Sequence, residues 1–420
     1  MPVKVAVVGG GSTYTPELVD GLGRLQEALP VDELVLVDPA AERLELVAGV
    51  GRRMLARLGS PTRLTTSTSL EPALDGVDAV LVQLRVGGQA ARNQDETWPL
   101  ECGAVGQETT GAGGLAKALR TVPVVLDIAE RVRNAAPDAW IIDFTNPVGI
   151  VTRALLQEGH RAVGLCNVAI GFQRRFAAQL GVPPESLELD HVGLNHLTWE
   201  RAAVVDGVDR LPELLEKNVE EIAASLELPA ELLLSLGVVP SYYLRYFYAH
   251  DEVVRELLAA PSRAAEVAEI ERKLLELYAD PALDVKPELL DQRGGAFYSE
   301  AAVQLAAALL GDGPGSTHVV NLRNDGTFPE LPDDAVIEVP AQVDRSGLHA
   351  VDLEPLEPLH AGLVAHVTAY EHLALEAALR GGRQRVFEAL LAHPLVGQVD
   401  RADGLTDRLL AHNREYLPWA

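Results

Sequence analysis

Residues 3–18, VKVAVVGGGSTYTPEL, decide the fold, and residues 31–38, VDELVLVD, support the same interpretation. VKVAVV is a continuous apolar run of strand length. The glycine-rich turn after it leads directly into a helix that begins near Thr15 and Pro16, because proline suits the first helical turn. The second apolar run predicts another strand, and it ends in Asp38. Strand, glycine turn, helix, strand and acid in this order predict a dinucleotide-binding unit.

Four residues are the predicted nucleotide contacts: Gly9, Gly11, Ser12 and Asp38. The glycines would let the backbone approach a pyrophosphate at a helix N-terminus, and the acid would accept hydrogen bonds from ribose hydroxyls, which favours NAD over NADP. Tyr14 stands where the third glycine of the fingerprint is usual, so the match is incomplete. A turn without a ligand is the alternative interpretation.

Three further apolar strands are predicted at 78–83, 140–144 and 161–165. The first leads into a long, polar and glycine-rich passage at 85–114, which we interpret as a functional loop. Thr145 and Asn146 follow the second strand, and Cys166 and Asn167 follow the third. Because the carboxyl ends of parallel strands meet at one ligand-binding edge, we expect these side chains to lie near the glycine turn.

The whole pattern predicts an α/β protein of two domains: a Rossmann-like dinucleotide-binding domain over residues 1–180 and an α+β domain over 181–420. Strand-like stretches in the second part lie at 187–199, 317–322 and 335–339, and helical segments at 212–224, 242–250, 264–278, 300–310, 359–391 and 406–416. Since no repeat or low-complexity linker separates the two parts, we expect the second domain to dock on the first.

Composition limits the class of protein and its partners. A hydrophobic content of 48% over 420 residues supports packed cores, and a formal net charge of -26 argues against nucleic acid or an anionic membrane as partner. No apolar segment approaches the length that spans a bilayer, and the first residues resemble a strand more than a signal peptide. The chain has two cysteines, which suits a reducing compartment. A cytoplasmic location is therefore expected.

Cys166 and His196 are the candidate metal ligands, although each has a simpler interpretation. A cysteine at the end of an apolar run usually only packs, and a single histidine in the strand-like segment GLNHLTW is more often a hydrogen-bonded core residue. Two protein ligands are too few for a closed structural zinc site. Two protein ligands would be enough for a metal site in which the substrate supplies the other ligands.

Nine motifs that occur in order along nearly the whole chain resemble glycoside hydrolase family 4. They are GGGSTYTPEL, GQETTG, DFTNPVG, GLCNV, GLNHLTW, YLRYFY, RGGAFYS, NLRNDG and LPDDAVIEVP. Within that family the chain is similar to the 6-phospho-β-glucosidase branch, because Asn167 follows the cysteine where the α-directed branch more typically has Asp. Relatives usually read Cys-Asn-Val-Pro, whereas this chain has Ala169, which concerns the rigidity of the loop more than its chemistry.

The resemblance implies NAD as cofactor and Mn²⁺, or another divalent metal, bound by Cys166 and His196. It implies that Tyr243 of YLRYFY is the catalytic base, although the adjacent Tyr242 leaves the assignment ambiguous by one residue. The aromatic residues of this segment could instead form a packed helix face. Asn167 is expected to assist at the sugar hydroxyls, and Glu108 of GQETTG to help with protons at the leaving group or to shape its loop.

The substrate implied is a phosphorylated disaccharide or aryl glucoside. Asn146 and Asn167 would hydrogen-bond its hydroxyls, and Arg92 with Asn93, together with Arg293, would bind its phosphate. Each arginine alone could equally be a solvated surface charge. The aglycone stays open, and a homodimer or homotetramer is the assembly that the family implies.

The implied reaction is hydrolysis by redox elimination and addition: oxidation at C3, deprotonation at C2, loss of the aglycone from C1, addition of water, and reduction at C3. This NAD-dependent route differs from the usual glycosidase chemistry, in which two carboxylates flank the scissile bond. Two alternatives stay open. An NAD-dependent dehydrogenase of small 2-hydroxy acids would share the lactate and malate dehydrogenase architecture, and a nucleotide-sensing protein would need neither metal nor base.

Overall fold

The computed structural model describes residues 3–295 and 297–420, so Ala296 of the RGGAFYS motif lies outside the described residues. Its strands are β1 Val3–Val8, β2 Val31–Val37, β3 Arg63–Ser67, β4 Ala79–Val82, β5 Trp140–Asp143, β6 Ala162–Gly164, β7 Leu187–Leu194, β8 Leu197–Val205, β9 Val208–Asp209, β10 Val239–Pro240, β11 Ser316–Arg323, β12 Val336–Asp344 and β13 Gly347–Ala350. No helix in these ranges is long and apolar enough to cross a membrane.

The helices alternate with the strands in the first part and dominate the second. They are α1 Thr15–Arg24, α2 Ala41–Arg57, α3 Glu71–Leu74, α4 Gly88–Thr97, α5 Gly111–Ala135, α6 Val148–Gln157, α7 Val168–Leu180, α8 Leu211–Leu226, α9 Ala230–Leu236, α10 Arg245–Tyr248, α11 His250–Ala259, α12 Arg263–Tyr278, α13 Tyr298–Leu310, α14 Pro358–Arg380, α15 Arg383–Ala392 and α16 Val399–Asn413. Short 3-10 turns lie at Trp98–Cys102, Pro184–Ser186, Tyr242–Leu244 and Glu288–Arg293.

Nine of the described strands form one sheet in the order β13-β12-β11-β6-β5-β4-β1-β2-β3. The six strands from β6 to β3 pair in parallel, in the order typical of a Rossmann fold. The α/β, Rossmann-like fold predicted from the sequence is therefore confirmed. The three strands at the other end pair antiparallel and come from the second half of the chain, with Asn321 of β11 opposite Gly164 of β6.

A second sheet, which shares no strand with the first, packs against β12 and carries part of the site. Strands β7 and β8 form an antiparallel hairpin that β9 and β10 extend. The pair Leu194 and Leu197 closes the hairpin, so Asn195 and His196 are its two turn residues. The prediction of a strand over 187–199 was therefore wrong at His196, because the chain reverses there.

Both faces of the large sheet are covered, which explains its unbroken apolar strands. Along β1, Val5 and Val7 belong to the core that faces α1, α2 and α13, whereas Ala6 and Val8 belong to the core that faces α5, α6 and α14. The cores are therefore built from both halves of the chain. The domain boundary at 180/181 stays a prediction, and the sheet runs across it.

The passage 85–114 is not a loop throughout, since α4 and the turn Trp98–Cys102 occupy much of it. The buried face of α4 includes Asp95 and Glu96, which are paired with Arg120 and Arg92. A helix whose buried positions are charged carries no hydrophobic period, so the sequence pattern could not indicate it. The predicted helix over 242–250 is likewise divided into a 3-10 turn and two helices.

Candidate active site

A cavity of about 600 Å³ lies at the carboxyl edge of the parallel strands. Eleven of the residues predicted from the sequence line it: Gly9, Gly11, Ser12, Asp38, Arg92, Glu108, Asn146, Asn167, His196, Tyr243 and Arg293. They come from four strand ends, from α4, from the loop before α5, from the β7-β8 turn and from two later segments. The structure thus brings most of the predicted site together, and only Cys166 and Asn93 are absent from this lining.

The glycine turn is shaped by close approaches at each of its three glycines. A Cβ on Gly9 would lie 2.6 Å from the carbonyl oxygen of Gln83, and one on Gly11 would lie 2.8 Å from Cγ of Asp38. Asp38 Oδ2 accepts a hydrogen bond of 3.1 Å from the Gly11 N–H. A side chain at Gly11 would therefore push away the acid that is predicted to hold the ribose.

Tyr14 explains why the third glycine can be missing. Its ring lies in the cavity lining, and its hydroxyl donates to the carbonyl oxygen of Gly295. It also makes an edge contact with Tyr298 at 6.3 Å between centroids. Since the ring points into the cavity and toward the second half of the chain, it does not obstruct the packing of α1 on the sheet.

Cys166 follows β6 and is 5% exposed. Burial, and then the Glu338 carboxylate, raise the pKa of its thiol, whereas hydrogen bonds from the Val168 N–H and from Tyr298 and Asn195 lower it. The thiol is therefore protonated unless a cation lies beside it. A bound dication would supply the charge that a thiolate needs in this buried setting.

His196 has a backbone φ of 63° in the β7-β8 turn. Residues other than glycine rarely adopt this left-handed conformation, and such strain is concentrated at functional sites. Burial lowers the pKa of His196 to about 4, so the imidazole is neutral at pH 7, as a metal ligand must be. Its Nδ1 lies 3.0 Å from Thr109 Oγ1, which leaves Nε2 as the nitrogen that would bind a metal.

Tyr243, and not Tyr242, is the tyrosine that lines the cavity. Its ring stacks on His196 with 3.6 Å between centroids and 9° between planes. Tyr242 instead accepts a hydrogen bond of 3.1 Å from Arg245 and packs among apolar residues. Burial raises the pKa of Tyr243 well above its usual value, and Arg92 opposes that shift.

Glu108 is the centre of a buried ionic cluster. Its carboxylate pairs with Arg85, with Lys117 at 2.6 Å and with Arg92 at 3.0 Å. Burial alone would raise the pKa of Glu108, but these three cations hold it well below its usual value. A carboxylate in this state holds no proton at neutral pH, which disfavours Glu108 as a proton donor and favours its alternative role in shaping the loop.

The three residues predicted to bind phosphate differ in their surroundings. Arg92 lines the cavity and pairs with Glu96 at 2.7 Å as well as with Glu108. Arg293 lines it beside the glycine turn and pairs with Glu271 at 3.1 Å. Asn93 accepts a hydrogen bond of 2.5 Å from Ser262, the residue that caps α12. Its side-chain oxygen is therefore used to anchor that helix.

Asn146 fits a ligand-binding role. Its side-chain oxygen is buried and has no hydrogen-bond partner among the residues that the structure describes. Such an atom costs free energy unless a ligand or water satisfies it, and a sugar hydroxyl could do so. Asn167, at the N-terminus of α7, lines the same cavity.

Sequence reasoning did not name every polar residue of the cavity as a site residue; among those it did not name are Arg85, Lys117 and Tyr298. Lys117 lies within α5, where nothing in the sequence distinguishes it from an ordinary helix residue, whereas Tyr298 begins α13 and belongs to the motif RGGAFYS. Burial lowers the pKa of Lys117 to about 8, against the opposite effect of Glu108. Arg85 lies three residues before α4 and has the most exposed side chain of the Glu108 cluster, at 26%. The signals available were the position of Arg85 just after β4 and that of Tyr298 within RGGAFYS.

The cavity is more basic than the chain as a whole. Among the described lining residues are the cations Arg43, Arg85, Arg92, Lys117 and Arg293 and the carboxylates Asp38, Glu108 and Glu271. A local excess of positive charge in a chain with a net charge of -26 favours an anionic ligand. Within the described ranges, no group of three or more His, Cys, Asp and Glu side chains is placed to hold a metal. Cys166 and His196 would therefore need further donors from a ligand or water.

Comparison with known proteins gives two family matches and full-length relatives. Residues 4–182 match the family 4 glycosyl hydrolase model, and residues 191–396 match the model of the family 4 glycosyl hydrolase C-terminal domain. A probable 6-phospho-beta-glucosidase of Bacillus subtilis is 37% identical over 431 residues, which cover 99% of this chain and 97% of the relative.

Solved structures agree with these matches. The 6-phospho-beta glucosidase from Thermotoga maritima, solved with manganese, NAD⁺ and glucose-6-phosphate, superimposes with a TM-score of 0.92 at 34% identity and 99% coverage of both chains. Malate dehydrogenase from Salinibacter ruber, with a TM-score of 0.54 at 18% identity over 90% of this chain and 98% of its own, shares the fold alone. The family matches, the relatives and the fold together establish that this chain belongs to glycosyl hydrolase family 4.

Proposed function

We propose that this protein hydrolyses 6-phospho-β-glucosides with the help of NAD and a divalent metal. The observation that carries the proposal is the stacking of Tyr243 on His196 in the cavity that also contains the glycine turn and Asp38. It unites a base, a metal ligand and a nucleotide site. The Thermotoga maritima relative was solved with manganese, NAD⁺ and glucose-6-phosphate, which supports the same assignment of cofactors and substrate class.

The described residues fit both cofactors. For NAD, neighbouring atoms leave no room for a Cβ at Gly9 or Gly11, so no side chain covers the backbone beside Asp38. For the metal, Cys166 and His196 supply a sulfur and a neutral imidazole, a donor pair that suits divalent transition metals. When bound, NAD would accept and return the C3 hydride, and the metal would polarise the C2 and C3 oxygens of the sugar.

The residues of the chain then carry the binding and the proton transfer. Tyr243 would remove the C2 proton as a general base, and a cation in the cavity would lower the pKa of its phenol toward the working range. Asn146 and Asn167 would orient the sugar hydroxyls. Because the side-chain oxygen of Asn146 is already buried and has no hydrogen-bond partner among the described residues, it would accept a hydrogen bond from a sugar hydroxyl at little cost in desolvation.

The phosphate would be held at the cationic side of the cavity. Arg92 keeps its predicted role, and we add Arg85, whose side chain is the more exposed of the two and lines the same wall. Both pair with Glu108, so its carboxylate would hold the two guanidinium groups in place for a bidentate contact. Glu108 thus contributes to binding by positioning these cations.

An assay of a chromogenic 6-phospho-β-glucoside in D₂O tests the proposal. We expect hydrolysis only with NAD⁺ and Mn²⁺ present, and deuterium at C2 of the product. The unphosphorylated glucoside and the 6-phospho-α-glucoside serve as controls. Hydrolysis that proceeds equally well without NAD⁺ and metal would contradict the proposal, and net accumulation of NADH would indicate a dehydrogenase instead.

A further inference from the structure

A fully buried polar network lies between the β7-β8 hairpin and the large sheet. His191 Nδ1 lies 2.6 Å from Glu200 Oε1, and His191 Nε2 lies 3.1 Å from Glu338 Oε1. The three side chains are between 0% and 1% exposed. Burying two carboxylates and an imidazole costs free energy that a purely apolar contact between the sheets would avoid. A network of this kind therefore calls for an explanation.

The network carries negative charge toward Cys166. Burial alone would lower the pKa of His191, but Glu200 and Glu338 raise it to about 10, so the ring is an imidazolium shared by two carboxylates. Burial alone would raise the pKa of Glu338, but hydrogen bonds from His191, Asn195 and Asn321 hold it below its usual value. Glu338 is therefore ionised, and its charge acts on both Cys166 and His196.

The network also joins the two segments that supply Cys166 and His196. Asn195 donates a hydrogen bond of 2.8 Å to Glu338 Oε2, interacts with the Cys166 thiol and directly precedes His196. Asn321 donates a second bond of 2.8 Å to the same oxygen, and it pairs across strands with Gly164, two residues before Cys166. One carboxylate oxygen thus ties the hairpin turn to the end of β6.

We propose that Glu338 is a positioning residue of the metal centre: through Asn195 and Asn321 it sets the spacing of Cys166 and His196, and its charge favours a dication between them. This inference rests on the proposed function, because it requires that these two residues bind the metal. Outer partners of metal ligands commonly fix ligand orientation and basicity in this way, and their loss costs about 10- to 100-fold in metal affinity.

Three variants of the full-length protein test the inference. Glu338→Gln removes the charge and keeps the shape, whereas Glu338→Asp keeps the charge and withdraws it from Asn195. Glu17→Gln is the matched control, because Glu17 is also buried, accepts a hydrogen bond from Ser299 and does not line the cavity. Mn²⁺ affinity is measured on metal-free protein by the loss of the electron paramagnetic resonance signal of free Mn²⁺. Co²⁺ is added separately to record thiolate-to-metal charge-transfer absorbance.

We expect Glu338→Gln to bind Mn²⁺ about 10- to 100-fold more weakly and to lose the charge-transfer band. The Mn²⁺ affinity of Glu338→Asp should lie between those of Glu338→Gln and the unchanged protein, while Glu17→Gln should bind Mn²⁺ as the unchanged protein does. NAD⁺ affinity should be the same in all of them. If Glu338→Gln does not fold, which circular dichroism shows, Glu338→Asp decides the test, and a Mn²⁺ affinity equal to that of the unchanged protein would overturn the inference.

Failure of the inference is distinguishable from failure of the proposed function. Normal Mn²⁺ affinity in a folded Glu338→Gln variant would refute the role of Glu338 and leave the proposed reaction intact. An unchanged protein that binds Mn²⁺ no better than a Cys166→Ser variant would refute the metal centre itself, and this inference would fall with it.

Discussion

Tyr243 owes its proposed role to its surroundings more than to its own acidity. Burial favours the neutral phenol, and the nearby Arg92 only partly opposes this effect. The ring is held face to face with His196, so its position is defined before any ligand binds. A base that is fixed in place but needs a cation to ionise would be active only in the loaded site.

Changing Tyr243 to Phe should lower kcat by about 10²- to 10⁴-fold, because the general base is lost while the stacked ring is retained. Mn²⁺ and NAD⁺ affinities should stay within about twofold. The measurements are the steady-state rate and the exchange of the C2 proton with D₂O. Tyr242→Phe is the matched control, since Tyr242 does not line the cavity, and normal exchange in Tyr243→Phe would contradict the role of Tyr243.

At the scale of elements, the glycine turn between β1 and α1 is held in place by backbone hydrogen bonds to the neighbouring strand. The N–H groups of Gly9 and Gly10 both donate to the carbonyl oxygen of Val37 at 2.9 Å, which holds the turn on the end of β2. This contact also places Asp38 beside Gly11. The turn and the acid therefore form one unit, although they lie far apart in the sequence.

Gly11→Ala should weaken NAD⁺ binding by at least about tenfold, because the new Cβ would displace the Asp38 carboxylate. Gly171→Ala, within α7, is the control, since a Cβ there meets nothing within 4 Å. NAD⁺ affinity is measured by isothermal titration calorimetry. Equal affinity in both variants would show that Asp38 does not hold the nucleotide.

Asp143 at the end of β5 makes stability depend on pH. Burial raises its pKa from 3.8 to about 8, although the Thr145 N–H donates to it at 3.0 Å. The folded state thus binds a proton that the unfolded state has released, so the free energy of unfolding falls as pH rises from about 4 to about 8. The largest slope that one such group can add is about 1.4 kcal/mol per pH unit.

Asp143→Asn should remove this contribution and flatten the profile between pH 5 and pH 8, since an amide of the same shape does not ionise. Urea denaturation at several pH values measures the effect. Asp138→Asn is the control, because Asp138 is exposed. A slope that is the same in Asp143→Asn as in the unchanged protein would show that Asp143 is ionised in the folded state.

At the scale of the whole molecule, a buried ion pair between α5 and α4 also contacts the last helix of the chain. Arg120 of α5 forms two bonds to Asp95 of α4, at 3.0 and 2.5 Å, and also donates to Asn413 of α16. Arg120 and Asp95 are almost completely buried. Because α4 carries Arg92, this ion pair links the last helix of the chain to one wall of the cavity.

Arg120→Met should lower the free energy of unfolding by about 3–5 kcal/mol, because it leaves Asp95 buried without its cation. The double variant Arg120→Met with Asp95→Asn should recover part of this loss, since no charge remains to be paired. Urea denaturation at pH 7 measures both. A loss below about 1 kcal/mol in the single variant would show that Asp95 is protonated or reached by water.

The nucleotide half could be predicted from the sequence because its signals are local. An apolar run followed by glycines, proline and an acid reflects backbone chemistry that depends little on the rest of the chain, and the observed turn has that form. Cys166 and Asn167 were placed at a strand end by the same reasoning. The helix α4 could not be predicted, because its buried side chains are charged and their partners are distant in the sequence.

By itself, the sequence determined the Rossmann-like sheet, the glycine turn, the acid beside it and the polar residues at each strand end, since strand period and turn chemistry act over short distances. Only the tertiary structure decided that Tyr243 rather than Tyr242 faces the cavity, that His196 lies in a strained turn and that Asn93 anchors a helix. It also gathered Glu108, Arg85 and Lys117 into one ionic cluster. Contacts of this kind join residues far apart in the chain, so only the packing of the elements determines them.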